Sequence, residues 1–226
     1  MNIVISGASK GIGYELAVQL ASLNHNILAL ARSNDKLQEL KQKSKHIEVL
    51  SIDLVDSNLS QEIGKKVPQW KQIDVLINNA GQLINKPFIE SSMMDFEHQF
   101  KSNVLTAVNL IQACHPYYVK GTHIVNITSM GGVQGSSKFP GLSAYSTSKG
   151  ALSLLTECLA AEYKELGVNV NALALGAVQT EMLKAAFPGY SAPLSAKEMA
   201  VYIADFACTG SKYYNGQVLP VALDNP

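Results

Sequence analysis

The stretch Asn2-Ile3-Val4-Ile5-Ser6-Gly7-Ala8-Ser9-Lys10-Gly11-Ile12-Gly13 decides the fold of this chain. A β-branched run stops at a glycine-rich turn, and apolar residues then recur at helical spacing: Ile12, Leu16, Val18, Leu20 and Leu23. Strand, glycine turn and helix open a β-α-β unit. Glycine is demanded where the backbone turns with positive φ, and where it must approach a pyrophosphate with no Cβ in the way. A helix starting near Gly11 offers free N–H groups and the positive end of its dipole to such an anion. Tight strand–helix packing without a ligand is the competing reading of the same glycines.

Six further short runs of strand character follow, at 26–31, 46–52, 73–78, 122–129, 168–173 and 217–222, with helical spacing between them. Most are continuously apolar instead of alternating, as strands of a parallel sheet covered on both faces must be. The reading is an α/β chain: one doubly wound Rossmann-type domain over residues 1–226, with a mostly parallel seven-stranded sheet and helices on both faces. In such sheets ligands sit beyond the carboxyl ends of the strands.

Composition agrees and excludes. The chain has 226 residues, enough to bury roughly 70–75% of its unfolded surface without staples. Eighteen Lys+Arg balance eighteen Asp+Glu, which argues against a nucleic-acid or membrane-surface partner. With 47% hydrophobic and 16% charged residues, disorder is excluded. Cys114, Cys158 and Cys208 lie far apart with no C-x-x-C, reading as free thiols in a reducing compartment. Met1 leads straight into a strand, with no charged-then-apolar leader, so the expected location is cytoplasmic. His25, His46, His98, His115 and His123 show no ligand spacing, and no metal is expected.

A dinucleotide site needs a ribose reader near the end of the second strand. There the sequence reads Leu30-Ala31-Arg32-Ser33, with Arg32 where an acid would select NAD. Lys10, in the glycine-rich turn, adds a second cation. Two cations and no acid favour the 2′-phosphate of NADP(H) over NAD(H). Asp35 is the rival, although its position suits the first turn of the next helix.

Downstream come Asn78-Asn79-Ala80-Gly81, Asn103, Ser129 and Tyr145-Ser146-Thr147-Ser148-Lys149. In that order, with the glycine-rich turn, they resemble the short-chain dehydrogenase/reductase family: T-G-x-x-x-G-x-G with Ser6 for Thr, N-N-A-G, Ser, and Y-x-x-x-K. The resemblance runs from about residue 2 to 222. It implies an NADP(H)-dependent oxidoreductase interconverting a carbonyl and a secondary alcohol. Tyr145 would exchange the proton, Ser129 hold the carbonyl oxygen, Lys149 lower the tyrosine pKa and hydrogen-bond the nicotinamide ribose, and Asn103 hold a water linking Lys149 to solvent. Ser6, Gly7, Ser9, Lys10, Gly11, Ile12 and Gly13 would cradle the phosphates. Asp53 and Leu54 would flank the adenine, and Asn79, Ala80 and Gly81 the adenosine ribose. Gly176, Val178 and Thr180 would line the nicotinamide end. Relatives assemble through helices that would here span 92–115 and 145–166, so a homo-dimer or homo-tetramer is expected.

The chemistry is arguable without the family. Tyr145 and Lys149, four apart, project from one helix face. An ammonium about 4 Å from a phenol contributes on the order of 4 kcal/mol at an effective dielectric near 20. That would depress a tyrosine from about 10 by roughly two to three pH units before desolvation opposes it. Alternatives stay open for single residues: Asp53 as a helix N-cap, and Asn103 as a cap or kink.

Three departures bear on substrate. The sixteen-residue step from Ser129 to Tyr145 is a few residues longer than the family commonly carries, with the surplus in 135–141. Ser136, Ser137 and Ser143 there compete for the Ser129 role. Leu175 replaces the proline of the family's P-G, which should loosen the turn after the sixth strand. Between Thr180 and Ser195 the lid is short, with one brief helix over 181–186, leaving little to cover the pocket. This suits a bulky or carrier-linked carbonyl, or loose specificity among small molecules. A cofactor-binding regulatory or scaffold protein that has lost turnover is the alternative; an epimerase or dehydratase is disfavoured because no separate substrate domain fits.

Overall fold

The computed structural model describes residues 1–223. Its strands in chain order are β1 (Asn2–Ser6), β2 (Asn26–Ala31), β3 (Ile47–Ser51), β4 (Val75–Asn78), β5 (His123–Ser129), β6 (Asn169–Leu175), β7 (Val178–Gln179), β8 (Leu194–Ser195) and β9 (Val218–Val221). Seven of them form one sheet in the order β3-β2-β1-β4-β5-β6-β9. Every neighbouring pair is parallel. The seven runs foreseen from the sequence are these seven strands, within about two residues at each end. The separate β7–β8 pair was not foreseen, because two residues carry no periodicity.

The helices are α1 (Gly11–Ser22), α2 (Asn34–Lys41), α3 (Leu59–Lys66), α4 (Met93–Phe100), α5 (Thr106–Cys114), α6 (Ser143–Glu162), α7 (Glu181–Ala186) and α8 (Ala196–Thr209). Two apolar cores lie on opposite faces of the sheet. Ile3, Ile5, Ile27 and Ala29 face α1, α2 and α8, while Val4, Leu28 and Leu30 face α3 and α5. Successive residues of a strand point to opposite faces, so a sheet buried on both sides needs apolar side chains at every position. That is why β1 and β2 read as unbroken runs.

α1 ends where Asn24 takes φ 62, a left-handed conformation that Asn tolerates better than most residues. α8 begins with a capping box in which the Ser195 hydroxyl accepts from the Glu198 N–H and the Glu198 carboxylate accepts from the Ser195 N–H. The strand order reverses between β1 and β4, and the carboxyl ends of both strands open on one crevice.

Candidate active site

The glycine-rich turn is built for close approach. Gly7 and Gly11 adopt φ +68 and +57, where an L side chain is strained. A Cβ on Gly7 would stand 2.8 Å from Ala80 Cα, and one on Gly13 would overlap the Gly7 carbonyl oxygen. Ser6 is buried, and its hydroxyl accepts from the Asn79 and Ala80 N–H groups at 3.0 and 3.1 Å. Asn79 Nδ2 donates back to the Ser6 and Gly7 carbonyls. Ser6 and Gly13 therefore stand behind the wall, locking the β1 turn to the β4 turn.

The wall bounds a cleft of about 410 Å³ running over the crevice. Gly7, Ser9, Lys10, Gly11 and Ile12 line it, with no side chain of the Lys10 cap position closing the first turn of α1. Uncapped amides over a floor without Cβ atoms fit the pyrophosphate of a dinucleotide.

At one end of the cleft lie Arg32, Asp53 and Leu54. Arg32 is exposed at the tip of β2. Asp53 makes a local turn, Oδ1 accepting from the Val55 N–H at 3.2 Å, and Asn58 occupies the cap position of α3, so Asp53 is not that helix's cap. Asp35 falls in the first turn of α2, away from the ribose-reader position. Asn109 on α5 holds the 54–56 loop, donating to the Leu54 and Asp56 carbonyls at 2.7 and 3.0 Å; no sequence signal marked it. Lys10 lines the cleft but pairs with Glu181 of α7 at 3.3 Å.

At the other end, α6 presents Tyr145 and Lys149 to the cleft. Lys149 is buried and donates to the Ile127 carbonyl at 2.9 Å, and burial pulls its pKa down to about 8. Its Nζ stands 6.0 Å from the centre of the Tyr145 ring. The expected depression of the tyrosine is not found in the protein by itself. Desolvation pushes Tyr145 above its ordinary value, and the nearby Ser129 hydroxyl pulls the other way. The ammonium is bonded to a carbonyl of β5, and burial of both side chains is the larger influence on the tyrosine in the protein by itself.

Ser129, at the end of β5, accepts from the Gly131 N–H at 3.3 Å. Of its three competitors, Ser136 donates to the Met130 and Val133 carbonyls, Ser137 is exposed, and the Ser143 hydroxyl is buried without a partner. Asn103 is fully buried in a π-helical turn, Lys101–Leu105, that joins α4 to α5. It neither caps nor breaks the helix. Its Oδ1 accepts from the Gln82 N–H at 2.8 Å, and its Nδ2 donates to the Gln82 carbonyl at 3.0 Å and the Ser148 hydroxyl at 2.9 Å. The side chain expected to hold a water is thus engaged by protein partners. A Cβ on Gly81 would come within 2.8 Å of Asn103 Oδ1 and 3.2 Å of Lys149 Nζ, so only glycine fits between them.

Asn79, Ala80, Gly81, Gly176, Val178 and Thr180 also line the cleft, whereas Asn103 is fully buried and Ser129 is half-buried at the end of β5. Thr180 caps α7, its hydroxyl accepting from the Leu183 N–H at 3.2 Å. The sixth strand persists without the proline. Leu175 stays in the sheet between Ser129 and Val221, and the Gly176 N–H donates to the Val221 carbonyl at 2.9 Å. The short lid forms the expected helix, and Glu181, Met182 and Leu183 line the cleft. Sequence reasoning also passed over Gln82 and His98, hydrogen-bonded at 2.6 Å on the cleft wall, because an isolated histidine carries no spacing signal.

The short chain dehydrogenase family model matches residues 1–191. The chain belongs to the short-chain dehydrogenase family. Relatives include a fatty acyl-CoA reductase of Acinetobacter baylyi, 33% identical over 80% of this chain and 63% of its own length. The uncharacterized oxidoreductase YusZ of Bacillus subtilis is 32% identical over 79% of this chain and 65% of its own. The chain thus spans somewhat under two thirds of these two relatives. An NADPH-dependent pterin aldehyde reductase of Arabidopsis thaliana is 32% identical over 85% of this chain and 80% of its own. Among solved structures, ElxO with NADP bound superposes with a TM-score of 0.85 at 26% identity, covering 98% of this chain and 96% of that one. The parallel sheet and its crevice are those of a short-chain dehydrogenase.

Proposed function

We propose that the protein is an NADP(H)-dependent oxidoreductase that interconverts a carbonyl and a secondary alcohol, with Tyr145 as the acid/base. The observation that carries this reading is buried Lys149 one helical turn from Tyr145 on α6, both lining the far end of a cleft floored by glycine, with Ser129 at the end of β5 against which α6 packs. Arg32 and Lys10 on that cleft, with no acid at the ribose-reader position, support NADP(H) over NAD(H). The NADPH-dependent name of the plant relative and the NADP-bound ElxO structure point the same way.

The Gly11 and Ile12 amides would hold the pyrophosphate, Arg32 the 2′-phosphate, and Lys149, Gly176 and Val178 the nicotinamide end. When bound, the nicotinamide supplies or accepts the hydride. The chain's own residues handle the proton. Burial keeps Tyr145 protonated at neutral pH, ready to donate to the oxygen of a carbonyl as it becomes an alcohol. Ser129 orients that oxygen and the tyrosine hydroxyl together, and Lys149 favours the tyrosinate left behind. Asn103 fixes Gln82 and leaves the Gly81 backbone open beside Lys149.

The substrate belongs to the small-molecule or carrier-linked carbonyls. A homo-dimer or homo-tetramer and a cytoplasmic location belong to the same proposal; among the described residues no helix is long and apolar enough to cross a membrane. The deciding experiment follows NADPH oxidation against ketones, aldehydes and oxoacyl thioesters. Turnover is expected with the native chain and a loss of at least about a hundredfold with Tyr145→Phe. Tight NADPH binding with no turnover on any carbonyl would favour a cofactor-binding regulator instead.

A further inference from the structure

Outside the cleft lies a second cavity, a groove of about 820 Å³ between the long β5–α6 connection and the Pro87–Phe88 segment. Val133, Phe139, Pro140 and Leu142 give it apolar walls. It shares no lining residue with the cleft. Along the β4–α4 connection, Gln82 and Leu83 line the cleft and Asn85 lines the groove, so the partition between the two cavities falls at Asn85.

At that partition three chain segments are stitched together. Asn85 Nδ2 donates to the carbonyl of Ala186, the last residue of α7, at 2.8 Å. Asn85 Oδ1 occupies the space a Cβ on Gly141 would need, and Gly141 adopts φ +84. The next residue, Lys86, donates its N–H to the Gly141 carbonyl at 2.9 Å. The surplus residues of the 135–141 loop thus end in a glycine that admits the Asn85 amide. The groove reaches inward to Gly131, whose N–H bonds the Ser129 hydroxyl, and the unpartnered Ser143 hydroxyl also lines it.

We infer that Asn85 is a specificity-determining tie: bonded to Ala186 it closes the passage from cleft to groove, and released it admits a carbonyl substrate whose linear apolar tail runs into the groove. This rests on the oxidoreductase reading of the same site. The tie is one exposed amide-to-carbonyl hydrogen bond, weak enough to open reversibly. Each methylene buried in the groove multiplies binding by about fourfold, so chain length reports directly on whether the passage is open.

The test compares kcat/KM for butanal and decanal in the native chain, Asn85→Ala and Asn85→Asp. The aspartate keeps the shape and removes the donor, so it guards against a packing artefact. Both variants are expected to raise the decanal-to-butanal ratio by about three- to tenfold. Phe139→Glu, on the groove rim, is expected to abolish that gain in the Asn85→Ala background while leaving butanal turnover unchanged. A readout independent of catalysis is tryptic cleavage after the exposed Lys184 of α7, expected to quicken in both Asn85 variants. An unchanged ratio in an active enzyme overturns the tie alone, whatever the cleavage rate. Absence of native turnover on every carbonyl offered overturns the oxidoreductase reading and the tie with it.

Discussion

Lys149 is a buried ammonium whose charge is opposed by its surroundings, and this makes a pH prediction. Its pKa falls to about 8 in the folded protein, below the ordinary value of 10.5. Between about 8 and 9 Lys149 makes the unfolded chain bind more protons than the folded one, so stability rises with pH across that window; from about 9 upward the Cys114 and Cys208 thiols, which burial pushes above their ordinary value, oppose it. Above 10 the raised Tyr145 opposes it, because the folded state then keeps the proton longer than the unfolded one. Denaturant unfolding of the cofactor-free protein at a series of pH values should show the rise, and Lys149→Met should flatten it. Arg32 carries a second prediction. As the exposed cation at the ribose-reader position, its replacement in Arg32→Asp should weaken NADPH relative to NADH by at least about tenfold, read by fluorescence titration of each cofactor. An unchanged ratio removes Arg32 from the 2′-phosphate site. The residue types at both positions were legible in sequence. Their environments were not: the aim of Lys149 at Ile127, and the pairing of Lys10 with Glu181, join residues far apart in the chain.

At the scale of elements, local rules carried most of the reading. α7 formed where one brief helix was expected, and α8 began at Ser195. The capping box that starts α8 satisfies donors left free at the helix end, and α8 packs on α1 beneath the glycine-rich turn. Ser195→Ala should therefore lower the unfolding free energy by about 1 kcal/mol while leaving cofactor affinity unchanged, as chemical denaturation and a binding titration would measure. Two elements escaped the sequence. The π-helical turn at Lys101–Leu105 has no compositional mark, since it exists to let Asn103 reach Gln82. The β7–β8 pair is two residues long and is set by the return of the lid, with the Ala192 N–H bonded to Gln179 Oε1 at 2.7 Å.

The whole molecule leaves large apolar side chains in water, two of them on elements that pack against each other. Leu105 and Leu154 are 52% and 61% exposed on the π-helical turn and on α6. An exposed apolar face of this kind is costly unless covered, and a second copy of the chain is the symmetric way to cover it. Light scattering at micromolar protein should give a dimer or tetramer, and Leu105→Glu with Leu154→Glu should give a monomer. A monomeric native chain would remove these helices as an interface.

The sequence by itself determined the doubly wound sheet, the order of its strands along the chain and the identity of the chemical groups. Those follow from unbroken β-branched apolar runs alternating with period-3.6 segments and from glycine's freedom at positive φ, which are local properties of a chain. The tertiary structure alone decided which of those groups meet. It set Ser6 and Gly13 behind the wall, turned Asn103 onto Gln82, kept Leu175 in the sheet and drew Asn85 across to Ala186. Each of these joins residues well separated in sequence, brought together by packing on a twisted sheet, and no local pattern encodes a contact of that range.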